Sequence, residues 1–150
     1  MNDSVVNPPG ADAKSVYAKF ETEMQVRPDD IDMYQHVHSS RYMDYVLAAR
    51  FDQMERCYKV PMAEFQRRGF GWFMATAHMS FKRPLGLGDR FIVRTWIEKF
   101  SLIGVTVQYQ IEQLPERKLS CDGWFEYVMV STETGRPVRL PADIRAQYEI

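Results

Sequence analysis

Five segments of the chain are predicted to be strands, and three of them, 16–27, 73–81 and 103–114, alternate apolar and polar residues with a period of two, the pattern of a half-buried strand. In the first of them, Phe20 and Met24 share one face while Glu21 and Glu23 share the other. Proline and glycine runs such as 84–88 separate the later segments and are typical of turns. The pattern predicts strands over 16–27, 73–81, 91–99, 103–114 and 124–131.

One segment has helical periodicity instead. Ser39 or Ser40 is suited to cap a helix that runs to about Cys57 or Tyr58. At its rise per residue this helix is about 28 Å long, and its apolar surface is too broad to be buried on one side alone. A curved sheet wrapped around the helix would cover that surface. The segments 61–69 and 141–147 predict a second short helix or turn and a short closing helix.

The order of these elements gives the fold class. One strand, one long helix and then four strands are typical of an α+β domain with an antiparallel sheet. The chain has 150 residues, enough for one domain with a proper core. Residues 1–14 are rich in Asn, Asp, Pro, Gly and Ala and are predicted to be a flexible leader. Residues 15–150 are predicted to form a single domain.

Composition excludes several classes of protein. A net charge of −1 argues against a nucleic-acid partner, which would require a basic surface. No apolar run reaches membrane-spanning length and no signal-peptide pattern is present, so we expect no membrane partner and a cytoplasmic location. Cys57 and Cys121 have no metal-binding or redox spacing and are predicted to be reduced thiols.

The chemistry of the chain is concentrated just before the long helix. Asp30, Asp32, His36 and His38 lie in one short loop that ends at the helix start. A helix N-terminus presents free N–H groups that can hold an oxyanion. A nearby carboxylate can activate water or attack a carbonyl directly. This pattern suits chemistry at a carbonyl group, although Asp32 could also be an ordinary turn residue.

The same loop resembles that of the hotdog-fold thioesterases, both the 4-hydroxybenzoyl-CoA thioesterase type and the plant acyl-acyl carrier protein thioesterases. The resemblance covers roughly residue 20 to the C-terminus. It is carried by Asp30-x-Asp32, His36-Val37, Tyr42, Ala49-Arg50 and the run 79–89. It implies a hotdog fold, in which an antiparallel five-stranded sheet wraps around one long helix. It also implies an acyl-CoA thioesterase that needs no cofactor.

The resemblance assigns roles to three residues of the loop. Asp32 matches the residue that attacks the thioester carbonyl or activates a water molecule. Ser39 stands seven residues later, where the backbone N–H is donated to the thioester oxygen. His36 matches a frequent histidine that orders the loop, polarises the carbonyl or relays a proton. Asp30 matches an aspartate that supports the loop.

Substrate contacts and assembly follow from the same resemblance. Lys82 and Arg83 are predicted to contact the phosphates of coenzyme A, with solvated loop charge as the alternative. Tyr34 is predicted to contact the substrate; it and His38 stand where the plant enzymes have Asn. The implied substrate is an acyl-CoA or an acyl carrier protein thioester. The implied assembly is a homodimer or a homotetramer whose sites lie across the dimer interface.

Three alternatives remain open at this stage. Asp32, His36 and His38 could form a metal site of two histidines and one carboxylate, although the sequence shows no supporting residues and no metal is predicted. A hotdog hydratase or dehydratase would act on the acyl chain and leave the thioester intact. A non-catalytic acyl-binding protein would bind the same ligand without turnover. Release of free thiol separates hydrolysis from both of the last two.

Overall fold

The computed structural model describes residues 16–150 of the chain. A single turn of 3₁₀ helix, Pro28–Asp30, follows the first strand. The other elements are β1 (Lys19–Gln25), α1 (Ser39–Arg56), α2 (Met62–Arg67), β2 (Phe70–Phe81), β3 (Arg90–Phe100), β4 (Gly104–Gln113), β5 (Lys118–Ser131) and α3 (Ala142–Tyr148). The predicted leader, 1–14, lies outside the described residues, and its boundary with a domain over 15–150 stays a prediction.

The five strands form one antiparallel sheet in the order β1-β3-β4-β5-β2. Strands β3, β4 and β5 are consecutive neighbours, whereas β1 and β2 flank them and form the two edges. One long helix packs on this sheet. The predicted α+β class and hotdog arrangement are therefore confirmed. Within residues 16–150 no helix is long and apolar enough to cross a membrane.

The N-terminal half of α1 is held to the sheet by a cluster of apolar side chains. Val46 and Ala49 of the helix are fully buried. They belong to the same cluster as Phe91 of β3, Ile111 of β4 and Phe125 of β5. Burying a large apolar side chain contributes about 1.5–3 kcal/mol. This cluster therefore fixes the start of α1, and the loop before it, relative to three strands.

The C-terminal end of α1 belongs to a second cluster, formed with α2, α3 and the far ends of the strands. Its fully buried members include Phe65, Ile97 and Met129. On α1 itself, Leu47 and Phe51 remain 39% and 53% exposed. The broad apolar surface predicted for this helix is thus only partly covered by the sheet of its own chain.

Strand bounds differ from the sequence prediction most at β5. This strand begins at Lys118, six residues before the predicted start at 124. A glycine in a strand weakens the strand signal, and Gly123 lies at that point. Here glycine permits a close approach between strands, because a Cβ at Gly123 would lie 1.8 Å from the His78 carbonyl oxygen. Strand β2 also begins earlier than predicted, at Phe70, while β1 is shorter than 16–27.

A bulge in β2 overturns one prediction about its faces. The register with β5 shifts between Met74 and Thr76, so Ala75 is the extra residue. A one-residue shift reverses the faces on which the residues beyond it lie. Phe73 was expected on the same face as Met79, but Met79 packs on the core while Phe73 is 61% exposed. Trp72 takes the inward position instead.

Candidate active site

The loop before α1 is a small, ordered hairpin. Ile31 and Val37 form an antiparallel bridge, and Gln35 at its tip has a positive φ of 66°. The hairpin is docked on the segment after β2. There the Val37 N–H donates to the Leu85 carbonyl at 2.9 Å, and His36 forms a bridge with Gly86. The backbone therefore fixes the carboxylates and histidines of this loop.

Asp30 is the buried anchor of the loop. Its carboxylate is fully buried and accepts a hydrogen bond of 2.8 Å from the Tyr45 hydroxyl. The backbone N–H of Arg27 donates to it at 3.3 Å, and the Arg27 guanidinium also reaches it. Burial raises the pKa of this carboxyl, but the hydrogen bonds from Tyr45 and Arg27 outweigh burial and hold the pKa below its ordinary value. These contacts give Asp30 the supporting position that the resemblance assigned to it.

Asp32 lies in a turn that its own side chain closes. Its Oδ1 accepts the backbone N–H of Tyr34 at 2.8 Å and that of His36 at 3.2 Å. Desolvation raises the pKa of the Asp32 carboxyl, but these two donors, aided by the charges of His38 and His36, bring the pKa below its ordinary value. The other oxygen, Oδ2, has no hydrogen-bond donor among residues 16–150. Asp32 is therefore an ionised carboxylate with one oxygen left for a ligand.

Helix α1 begins differently from the prediction. His38, and neither Ser39 nor Ser40, is the N-cap residue, and its side chain makes no capping hydrogen bond. Ser39 and Ser40 form the first turn, and their backbone N–H groups donate to no acceptor in the described part of the chain. No acidic residue lies in this turn. The positive end of the helix dipole is thus available to an external oxygen atom.

A cleft of about 390 Å³ brings the predicted residues together. Asp32, His36 and Ser39 line it from the loop and the helix start, and Lys82 and Arg83 line it from the segment after β2. The sequence separation of these two groups is more than 40 residues. The docking of the hairpin on Leu85 and Gly86 therefore creates the cleft.

Tyr34 and His38 are placed differently. Tyr34 is 73% exposed and does not line the cleft, so only its backbone N–H takes part, through Asp32. The predicted contact of its side chain with substrate stays a prediction. His38 is exposed, and its backbone N–H donates to the Asp30 carbonyl at 2.9 Å. Its position is that of a residue that joins the loop to the helix.

Tyr42 forms a wall of the cleft with a function that sequence reasoning did not assign. Its side chain is buried, and its hydroxyl accepts the Leu85 N–H at 3.0 Å. Its ring packs edge-on against Phe81, with centroids 5.3 Å apart. Tyr42 thereby holds the segment after β2 against α1. The sequence could have indicated this position, because Tyr42 follows Ser39 by about one helical turn and so lies on the same side of α1.

The metal-site alternative has no support in the geometry. Residues 16–150 contain no group of three or more His, Cys, Asp or Glu side chains placed to hold a metal ion. Asp32 Oδ1 accepts two backbone N–H groups, and His36 lines the cleft beside Asp32 whereas His38 does not. The two cysteines are free thiols, with Cys121 buried.

A second cavity of about 250 Å³ lies further along α1. Its walls are mostly apolar and include Leu47, Phe51 and Met54 of the helix and Trp72 of β2. Met43 of α1 and Met74 and Met79 of β2 are partly buried and pack on the core. Methionine side chains adapt readily to a ligand.

The family of the chain follows from comparison with known proteins. The model of the thioesterase-like superfamily matches residues 26–148. This chain therefore belongs to the thioesterase-like superfamily, and the resemblance seen in the loop is confirmed.

Individual relatives cover nearly the whole domain. The chain is 22% identical over 130 residues to the long-chain acyl-CoA thioesterase FadM of Escherichia coli, with 87% of this chain and 97% of FadM covered. It is 27% identical over 128 residues to the chloroplastic acyl-acyl carrier protein thioesterase ATL3 of Arabidopsis thaliana, with 85% and 66% covered. The DHNA-CoA thioesterase of Staphylococcus aureus superposes with a TM-score of 0.81 at 21% identity, covering 87% and 88% of the two chains. This likeness shows that the fold is shared.

Proposed function

We propose that this chain hydrolyses the thioester bond of an acyl-CoA, releasing the free acid and coenzyme A. The observation that carries the proposal is the cleft, where an ionised Asp32 faces a helix start with free N–H groups. Membership of the thioesterase-like superfamily supports it. FadM, which matches over nearly its whole length, is an acyl-CoA thioesterase.

In this proposal the thioester carbonyl lies between Asp32 and the start of α1. The N–H of Ser39 donates to the carbonyl oxygen, which becomes an oxyanion as the tetrahedral intermediate forms. Asp32 supplies the attacking carboxylate or takes the proton of the attacking water, and its lowered pKa keeps it ionised for either role. His36 relays a proton toward the leaving thiolate. The reaction needs no cofactor.

The rest of the substrate extends in two directions from the carbonyl. Lys82 and Arg83 lie at the exposed rim of the cleft, where they contact the phosphates of coenzyme A. The acyl chain runs along α1, past the methionines, toward the second cavity. A carrier protein thioester would enter by the same rim.

The active unit in this proposal is a homodimer or larger. Strand β2 is a long edge strand, and Phe73 on it, like Phe51 on α1, is more than half exposed. Long edges with exposed apolar side chains are usually covered in native proteins. A second copy that covers this edge would also close the side of the second cavity. Sedimentation at micromolar concentration tests this, with Phe73→Lys expected to shift the protein toward monomer.

A thiol-release screen over acyl-CoA thioesters of increasing chain length tests the proposed reaction. Free coenzyme A and free acid should appear in equal amounts from at least one thioester. A product that retains the thioester would instead indicate a hydratase or dehydratase. Tight binding without any turnover would indicate an acyl-binding protein. The cytoplasmic location stays a prediction.

A further inference from the structure

Arg50 is a buried cation in the wall of the second cavity. It is only 6% exposed, although it sits in the middle of α1 among apolar neighbours. It takes part in none of the ion pairs formed within residues 16–150. An unpaired charge removed from water is costly. A natural sequence that keeps one at this position therefore requires an explanation.

The protein holds the guanidinium in place with neutral groups only. Arg50 Nη1 donates to the Thr95 hydroxyl at 3.0 Å, and Thr95 in turn donates to the Gln53 side chain. The Tyr58 ring lies 5.3 Å from the guanidinium carbon, a favourable but partial compensation for the charge. Arginine carries five N–H donors, and the bond to Thr95 is the one that Arg50 forms with residues 16–150. The Arg50 guanidinium is therefore held in place, while most of its N–H groups have no acceptor among the described residues.

Two tyrosine hydroxyls beside Arg50 are also without acceptors. Tyr58 and Tyr148 pack ring against ring at 4.7 Å, and both hydroxyls are buried without a hydrogen bond among the described residues. The Trp72 indole approaches the Tyr148 hydroxyl, but not with hydrogen-bond geometry. Buried hydroxyls are nearly always paired. Three neighbouring side chains therefore present donors, and within the described chain only Arg50 Nη1 meets an acceptor, the Thr95 hydroxyl.

The positive charge of Arg50 extends over the cavity wall. Burial raises the pKa of Tyr127 to about 12, and the Arg50 charge opposes that rise. The same opposition acts on Tyr148, whose pKa burial also raises. The phenols thus stay neutral and can act as donors, while the cavity as a whole favours an anion.

We propose that the second cavity binds the far end of an acyl group that carries a carboxylate or another anionic oxygen, with Arg50 and Tyr148 as its donors. This inference rests on the proposed hydrolysis of acyl-CoA, and it names the class of acyl group that is preferred. Ser39 and Arg50 are eleven residues apart on one helix, about 16 Å along its axis. The carbonyl and the anionic end of the substrate are separated by that distance.

Binding of non-hydrolysable thioether analogues of acyl-CoA tests the inference without turnover. At each of several acyl chain lengths, calorimetry compares three analogues that differ only in their end group, which is a methyl, a hydroxyl or a carboxylate. We expect the carboxylate-tipped analogue to bind at least roughly tenfold more tightly than the methyl-tipped one, the scale of hydrogen bonds to a charged group. Equal affinities of the three analogues would overturn the inference, because the cavity would then have no preference for an anionic end group.

Variants of Arg50 and Tyr148 test whether these two residues cause the preference for a carboxylate. Arg50→Met should abolish it and Arg50→Lys should keep part of it, since lysine retains the charge without the fork of donors. Because Arg50→Met could impair folding, Tyr148→Phe is the second test, as it removes one unpaired oxygen and should lower the preference severalfold. Arg136→Met, at an exposed turn residue, is the matched control and should leave it unchanged.

The outcomes separate this inference from the proposed reaction. A preference that persists in both Arg50→Met and Tyr148→Phe would overturn the inference, even if every acyl-CoA is hydrolysed. Absence of thiol release from all thioesters would contradict the proposed reaction, while the analogue series would still decide what the cavity binds. If no analogue binds at any length, the cavity takes no acyl group and the inference fails.

Discussion

The cleft at the start of α1 and the second cavity further along this helix carry charged groups of opposite sign. At the N-terminal cleft the protein supplies an anion, Asp32, and satisfies one of its oxygens with the backbone of its own loop. At the second cavity the protein supplies a cation, Arg50, and donor hydroxyls that no acceptor of the described chain meets. Reactive groups need a fixed position with one face free, whereas recognition groups need a partner that arrives with the ligand. The two proposals therefore place hydrolysis in the cleft before α1 and selection of the acyl group at the cavity further along this helix.

Loss of the Asp32 carboxylate should produce the largest effect. Asp32→Asn keeps the shape of the loop but cannot attack or accept a proton, so we expect thiol release to fall on the order of a hundredfold or more. Asp29→Asn is the matched control, because Asp29 lies in the same loop and its side chain is 72% exposed. Circular dichroism establishes that both variants are folded. A folded Asp32→Asn enzyme with normal turnover would remove Asp32 from the mechanism.

Substitution of Asp30 should lower the free energy of unfolding, whereas substitution of Asp32 should lower the rate of thiol release. Asp30→Asn removes the charge that Tyr45 and Arg27 stabilise, and we expect a loss of about 2 kcal/mol in the free energy of unfolding. The Tyr45 bond carries most of this, because Arg27 is exposed and its ion pair is screened. Urea unfolding measures the loss, again with Asp29→Asn as control. An unchanged free energy of unfolding would mean that Asp30 does not anchor the loop.

The same residue predicts a dependence of stability on pH. The pKa of Asp30 in the folded protein lies below its ordinary value of 3.8. Its contribution is therefore complete above that value and is lost as the pH falls through the lowered pKa. The difference in stability between the wild type and Asp30→Asn should be constant near neutral pH and shrink below pH 3.8. A difference that grows on acidification would contradict the assigned role.

The two loop histidines should differ by a smaller factor. His36 lines the cleft while His38 is the N-cap residue of α1. We expect His36→Ala to lower turnover roughly tenfold, about the value of one hydrogen bond in the transition state, and His38→Ala to lower it less. His36→Gln should also change the pH profile if His36 moves a proton. A greater loss in His38→Ala would mean that the loop is aligned wrongly with the family, and the role of Ser39 would be withdrawn with it.

Two tyrosine variants, one at the cleft and one at the second cavity, should differ in their effect on the free energy of unfolding. Tyr42→Phe leaves the buried Leu85 N–H without its acceptor, so we expect a loss of about 1–2 kcal/mol. Tyr148→Phe removes a hydroxyl that has no partner, and its effect should be within about 0.5 kcal/mol of zero. Thermal or urea unfolding of the two variants measures the contrast. Equal losses would mean that the Tyr148 hydroxyl has a partner after all.

The sequence predicted the fold well because the evidence for it is periodic and local. Every predicted strand and helix exists. The largest error in a strand boundary falls at Gly123, where a close backbone approach cannot be read from one strand, and the error in the faces of β2 comes from the bulge at Ala75. The cleft residues were also found, since Asp32, His36 and Ser39 are neighbours in one loop. The sequence alone offers no reason to propose a function for Arg50. An arginine in a helix is ordinarily solvated, and only the folded structure, in which Arg50 reaches Thr95 of β3 and lies near the Tyr58 ring, shows that this one is buried.

The bulge at Ala75 has a consequence for how related chains could diverge. Residues 70–74 and 76–81 of β2 face the core in opposite phase because of that one extra residue. Met74 and Thr76 already pair with the adjacent residues Tyr127 and Glu126, so deleting Ala75 would restore a regular ladder and leave Trp72 and Met74 facing the core. Phe73 would stay on the outer face, and Phe81 beside the cleft would keep its orientation. A related chain that lacks this residue would therefore keep the lining of both the cleft and the second cavity, and loss of the bulge during evolution would be silent at both sites.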